Sequence, residues 1–233
     1  LAGIDSFAKL VLHCDGVDAS TTFTDSSLSP KTVTANNSAQ IDTAQSKFGG
    51  ASGLFSVGTL DYLSVPNNTD WNLGAIGSGN DWTLDFWIRF NTKTTIMGLI
   101  CPQASAGGNG WQLYWDTSNL ALSSDGSTNT VAWNPSTATW YHVAIVKSGT
   151  TITAYIDGSS IGTFPDRGMN NDSQNLYIGV QAQPSAGDLY FDGWLDEIRI
   201  SKGIARWTAN FTPPTSAYSA NTSSSKMMLM GIG

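Results

Sequence analysis

The acidic pair Asp196 and Glu197 is the first place where this sequence could do chemistry, because Glu197 is the single glutamate among 233 residues. Glycosidic cleavage needs two carboxyl groups flanking one bond, one donating a proton and the other attacking or stabilising. Adjacent strand residues point to opposite faces, so Asp196 and Glu197 do not share a cleft. The alternating pattern ExDxE is absent. A hydrolase is therefore not expected.

Nucleophilic and metal chemistry have little more to work with. The two histidines, His13 and His142, each sit inside an apolar run, and His13 precedes Cys14, which should face the other way. Two histidines and two cysteines at these spacings build no zinc motif. Cys14 and Cys101 read as free buried thiols, with a single bridge between them as the alternative. The glycine-rich stretch Ala106 to Gly110 lacks the lysine and helix of a phosphate loop and reads as a turn.

Sugar recognition is better served. A pyranose ring needs an aromatic face to stack on and polar side chains beside it for its hydroxyls. Trp111, Gln112, Tyr114, Trp115 and Asp116, with Trp133 and Asn134, offer that chemistry. The residues Trp111, Tyr114, Trp115, Trp133 and Asn134 are the expected ligand-binding group. Their alternative role is core packing.

Such side chains must be positioned by strands. In Trp82 to Phe90, WTLDFWIRF, the residues Trp82, Leu84, Phe86, Ile88 and Phe90 share one parity and Asp85, Trp87 and Arg89 the other, so one face should enter a core. Trp140 to Ser148 and Thr151 to Ile156 read as a hairpin joined through Gly149, with Asp157 and Gly158 making the next turn. Short strands are also expected at Lys9 to His13, Lys31 to Thr34, Phe48 to Val57, Asp61 to Pro66, Thr95 to Cys101, Gly110 to Asp116, Leu120 to Ser123, Val131 to Trp133, Ile161 to Phe164, Leu176 to Val180 and Leu189 to Ile200. With no helix between them, these predict an all-β, two-sheet antiparallel sandwich.

Composition fits that architecture. Charged residues make up 12% of the chain and aromatics 11%, a balance of strands and polar turns. The net charge of −7 argues against nucleic acid or an anionic membrane surface as partner. No apolar run reaches the length of a membrane span, and the first residues lack the basic and apolar regions of a signal peptide. The chain opens on Leu1, which processing, excision from a longer polypeptide or trimming would each explain.

Two segments carry a family resemblance. The closing stretch Phe191 to Pro214, FDGWLDEIRISKGIARWTANFTPP, resembles the pattern GxxDExRIS followed by ARWTxxFxPP of laminin G-like domains, and WYHVAIVKSGTTITAYIDG at residues 140–158 is similar to another of their motifs. The resemblance covers roughly Leu10 to Tyr218. It implies a jelly-roll sandwich of the concanavalin A-like and pentraxin-like kind over residues 1–218, followed at 219–233 by a Ser/Thr-rich linker and an apolar strand. That last strand echoes Ala8 to Gly16 and reads as the start of a degenerate repeat, as an assembly tail, or as a strand beside the first one. The same resemblance gives Trp82, Trp87, Trp140 and Trp194 core positions, whereas Trp71, Trp133 and Trp207 sit nearer loops in the sequence, with core and exposed roles both open. It makes His142 a core histidine.

In related jelly rolls a calcium ion ties the aspartate after the first strand to the closing acidic pair, which here implies Asp15 and Asp196 as Ca2+ ligands. The alternative is that Asp15 forms a turn while Asp196 pairs with Arg199 or caps a backbone group. Arg206 is expected to stack on Trp207. The resemblance implies a non-enzymatic module on an extracellular, cell or virion surface, including the versions found in bacterial surface and tailed-phage proteins. Its expected partner is a surface glycan, with or without calcium, or a structural protein. A homo-oligomer or lattice is the corresponding assembly.

Overall fold

The computed structural model describes residues 3–102, 110–171, 173–181 and 189–220. Its strands begin with β1 (Gly3–Ile4), β2 (Ala8–Leu12), β3 (Thr34–Asn36), β4 (Gln40–Asp42), β5 (Ser52–Phe55), β6 (Tyr62–Val65), β7 (Trp82–Phe90) and β8 (Met97–Cys101). They continue with β9 (Gln112–Asp116), β10 (Asn119–Ser124), β11 (Ser127–Ala132), β12 (Trp140–Ser148), β13 (Thr151–Ile156), β14 (Ser159–Phe164), β15 (Leu176–Ile178), β16 (Gly193–Lys202) and β17 (Ser219–Ala220).

Two antiparallel sheets face each other. One has the order β11-β10-β9-β8-β15-β6-β3, and the other runs β14-β13-β12-β7-β16-β5-β4 with β2 added against β16. This is the jelly-roll sandwich expected from the strand pattern. The parity of β7 holds: Trp82, Leu84, Phe86, Ile88 and Phe90 enter the core between the sheets, while Thr83, Asp85, Trp87 and Arg89 face outward. In β12 the inward residues are Val143 and Ile145, which leaves Trp140, His142, Ala144 and Val146 on the same outer face.

The hairpin of β12 and β13 turns at Gly149, and β13 turns into β14 through Asp157 and Gly158, both with positive φ. A Cβ at Gly158 would collide with the Phe211 carbonyl, so this turn also seats the C-terminal segment. Three elements escape the sequence pattern. Strand β4 is only three residues long, and the parallel pair β1 and β17 has two residues on each side. That pair brings the two ends of the described chain together, next to a small cluster of Ile4, Ala8, Val11 and Tyr218. The expected linker and apolar strand beyond Ala220 lie outside the described residues. Cys14 and Cys101 are both free and buried, as expected.

The outer face of the eight-stranded sheet is covered unevenly. Residues 203–218 cross one end, where Ala205, Trp207 and Phe211 pack on Ala144, Val146 and Tyr155. The loop before β5 covers the middle, with the Lys47 ammonium 3.8 Å above the Trp87 ring and Phe48 edge-on to the same ring. Beyond that loop lies a row of half-buried side chains.

Candidate functional site

The acidic pair on β16 closes the fold. A bulge between Asp196 and Arg199 breaks the ladder with β7, and Glu197 takes φ 49° within it. The turned-out backbone lets both carboxylates work at once. Asp196 Oδ2 accepts the backbone N–H groups of Lys47 (2.8 Å) and Phe48 (3.1 Å), and Oδ1 accepts that of Glu197 (2.8 Å). Glu197 Oε1 lies 2.7 Å from His13 Nδ1, and Oε2 accepts the Tyr218 N–H at 2.7 Å. Glu197 thereby holds the first core strand and the last residues of the described chain.

Beside it, Arg199 forms a two-pronged ion pair with Asp85, at 3.0 and 2.8 Å, and both side chains are fully buried. Tyr218 donates its hydroxyl to the same Asp85 oxygen, and its ring lies 3.9 Å from the guanidinium. His142 Nε2 stands 3.7 Å away, buried as expected of a core histidine. Arg199 therefore pairs with Asp85 rather than Asp196, and Asp196 caps backbone. Arg206 also departs from expectation: it binds Asp5 and Ser201, while the cation nearest Trp207 is Arg199 at 5.8 Å.

The expected calcium ligands differ in exposure. Asp15 is solvent-exposed and accepts the Ala51 N–H; partial burial and then the Glu197 charge raise its pKa. Asp196 is buried, and burial first, with help from Glu197, pushes it up to about 8 against the N–H bonds it accepts. With Thr24, Ser26 and His13, Asp15 lines a shallow pocket of about 170 Å³. The four carboxylate oxygens of Asp196 and Glu197 already hold hydrogen bonds, so an ion there would have to displace them. Among the described residues no group of three or more His, Cys, Asp or Glu is arranged to hold a metal.

The expected sugar-binding aromatics are inside the protein. Trp111 and Trp115 are 0% exposed, and their indole N–H groups donate to the carbonyls of Trp71 (2.8 Å) and Trp133 (3.1 Å). Trp133 is buried against Phe90 and Tyr141, and Tyr114 is buried on the outer side of β9. Asn134 is exposed, but its side-chain oxygen accepts from Lys93. The correction is physical: Trp111, Leu113 and Trp115 share one parity of β9, and that parity faces the core. No ring in this group is more than 8% exposed. Trp71, nearer a loop in the sequence, is fully buried as well.

Two tryptophans assigned to the core, Trp140 and Trp194, are instead only half-buried on the outer face. Trp140 of β12 and Trp194 of β16 are both cross-strand partners of Arg89 on β7, and Trp194 is in turn opposite Leu54, which is opposite Gln40. All five side chains are half-buried, and they form one straight row across five strands. The Arg89 guanidinium lies 4.8 Å from the Trp194 ring centre, and the Trp194 indole N–H donates to Asp42 Oδ2 at 2.6 Å. Neighbouring strands are about 4.8 Å apart, which separates the Trp140 and Trp194 backbones by about 10 Å. The row offers the half-buried Trp140 indole, a cation seated on the Trp194 ring, and the amide and carboxylate of Gln40 and Asp42 at its end.

A family model described as the concanavalin A-like lectin/glucanases superfamily matches residues 57–206. No curated protein matches the chain. Among solved structures, the chain is similar to one of botulinum neurotoxin type C whose cell entry depends on two ganglioside molecules. The two are 16% identical with a TM-score of 0.60, over 85% of this chain and 48% of that one. It is equally similar to the binding domain of botulinum neurotoxin DC in complex with rat synaptotagmin II, at 16% identity and TM-score 0.60, over 85% and 49%. The same binding domain in complex with SialylT matches at 16% identity and TM-score 0.57, over 84% and 47%. The chain thus spans about half the length of these structures. At this identity the likeness carries the fold.

Proposed function

The chain belongs to the concanavalin A-like lectin/glucanases superfamily, and from that premise we propose that it is a non-enzymatic module that holds a glycan at an extracellular, cell or virion surface. The observation that carries this reading is the row of half-buried Trp140, Arg89 and Trp194 on the outer face of the eight-stranded sheet. Indole faces bind the apolar C–H side of a pyranose, and the polar groups beside them take its hydroxyls. Here Gln40 supplies both donor and acceptor, and Asp42 keeps one oxygen beyond the Trp194 bond. The row runs straight, which suits a chain of sugars lying along the sheet rather than a single ring in a pit. The solved structures named above are of toxin domains with ganglioside, SialylT or synaptotagmin partners, which supports a binding role for the same sandwich.

The acidic residues fit the non-enzymatic side of this proposal. Asp196 and Glu197 are buried and hold backbone and His13, so neither faces an open cleft. Their work is closure of the fold. Calcium, if this module uses it, would act at the rim around Asp15 rather than at the row.

A glycan array probed with the whole chain tests the proposal. Binding is expected, with the captured glycans recovered uncleaved, and Trp140→Ala should abolish it while the protein stays folded at the assay temperature. An array silent for both neutral and acidic glycans would overturn the reading in favour of a structural protein partner. A chelator arm separates the ion from the row: unchanged binding assigns recognition to the indoles alone.

A further inference from the structure

We propose that the row selects a carboxylate-bearing saccharide, with Arg89, braced on the Trp194 ring, binding the acid while Trp140 holds the sugar ring. This rests on the glycan reading above and names the substrate class of that same site. Three observations carry it.

The first is the state of Arg89. Among the described residues its one recorded contact is the Trp194 ring, with neither an ion pair nor a hydrogen bond to the guanidinium. The other arginines of this sheet face differ, since Arg199 is held by Asp85 and Arg206 by Asp5. A guanidinium presents five donors in a planar fork that matches a carboxylate, and an indole beneath it fixes the plane without using a donor. Arg89 is therefore preorganised and still has its donors to give.

The second is what the nearest acid does. The chain carries a net charge of −7, and Asp42 lies on the same outer face, where it accepts the Trp194 indole N–H. The bond holds Trp194 beneath Arg89 and engages the carboxylate oxygen that faces the row. In an acidic chain, a positive group flanked by indoles is a local reversal of sign. Such a reversal favours an anion at this place over the rest of the surface.

The third is spacing. Trp140 and Trp194 each stand one strand from Arg89 on opposite sides, about 4.8 Å at the backbone. A pyranose stacked on Trp140 carries the oxygens of an exocyclic carboxylate about 4 Å from its ring centre, on the side of Arg89. The rest of the saccharide then runs along the row towards Gln40. A neutral sugar would stack equally well and leave the fork with water.

The test compares four probes on the whole chain by titration calorimetry or ligand-observed NMR: sialyllactose, its methyl ester, a glucuronic-acid disaccharide and lactose. The acids are expected to bind at least tenfold more tightly than ester and lactose, and the two acids distinguish a sialic from a uronic source. Arg89→Gln should bring acid and ester binding to one level, and Arg89→Lys should restore only part of the preference. Acid and ester binding alike, or a preference surviving in Arg89→Gln, overturns the inference but leaves the glycan reading standing. If Trp140→Ala leaves lactose binding intact, sugar is bound away from the row and the inference falls. If no probe and no array glycan binds, the glycan reading fails and takes the inference with it. Cooperative unfolding of each variant well above the assay temperature shows that each result reports binding.

Discussion

Arg199 and Arg89 stand on the same face of the same sheet, each beside an aromatic ring, and they live in opposite conditions. Arg199 is fully buried beneath residues 203–218, gripped by Asp85 and flanked by Tyr218. Arg89 is half-buried, beside Trp194 and without a carboxylate. The contrast teaches that cover and counter-charge come together. A guanidinium taken out of water needs a partner of opposite sign, whereas one at a wet edge keeps its hydration and can exchange it for a ligand. One arginine belongs to the fold, and the other is open to chemistry.

The sharpest break of this comparison is Asp85→Ala. It leaves Arg199 buried and unpaired and deprives the Tyr218 hydroxyl of its acceptor, a loss expected at about 3–5 kcal/mol. Chemical denaturation at neutral pH measures it. Acid should approach the same end by titration. Burial pushes Asp85 up, but the charge of Arg199, followed by the contact with His142, outweighs it and holds the carboxyl far below the usual range. Its contribution is present above the ordinary aspartate pKa and is lost as pH falls towards the folded value.

Asp196 should behave in the reverse sense. Its pKa is raised to about 8, chiefly by burial, so the folded state binds the proton more tightly than the unfolded chain does. Stability from this group is full below about pH 4 and declines as pH rises to about 8. Even half of that displacement corresponds to about 3 kcal/mol. Denaturation midpoints should therefore fall from pH 5 to pH 8 in the wild type. Asp196→Asn, which cannot titrate, should flatten that fall; an equal slope in the variant would assign the effect elsewhere.

A smaller effect tests the clasp itself. Hydrogen bonding to Glu197 raises the His13 pKa above its ordinary value, against the opposing effect of burial. A raised histidine stabilises fully below about pH 6.5 and loses that contribution as pH climbs through the folded value. Glu197→Gln keeps an acceptor for the Tyr218 N–H but removes the charge beside His13. The expected cost is about 1 kcal/mol near pH 6, shrinking at pH 9. NMR titration of His13 should show its pKa falling in the variant.

The same outer face shows why the fold was easier to read than the site. In β7, apolar residues occupy one parity and Asp85 and Arg89 the other, so the core side is legible from the strand alone. In β9 the parity of Trp111, Leu113 and Trp115 against Gln112 and Asp116 carries the same signal, and it outranks proximity to a glycine-rich loop. Strand β12 is different, because Trp140, Ala144 and Val146 on one side match Tyr141, Val143 and Ile145 on the other. With apolar residues on both parities, periodicity cannot say which side is wet. The placement of Trp140 and Trp194 beside Arg89 depends on the register of three strands separated by some fifty residues at each step. The bulge that lets Glu197 reach His13 is equally invisible locally, since it arises from pairing with β7 and β2.

Arg89→Gln then supplies the smallest expected change in stability and the clearest separation of the two arginines. At a half-exposed site, losing one cation–π contact with Trp194 should alter unfolding free energy by no more than about 0.5–1 kcal/mol. The strand pairing of β7 with β12 and β16 is backbone and remains. Arg199→Gln, made alongside, removes a buried charge and strands Asp85, so it should unfold the protein several degrees earlier. If the two variants cost the same, Arg89 is as structural as Arg199, and the row would be better understood as the underside of a further contact. A wide gap, with Arg89→Gln near wild type, means that the fold gains little from this cation and that its position between two indoles answers to something outside the chain.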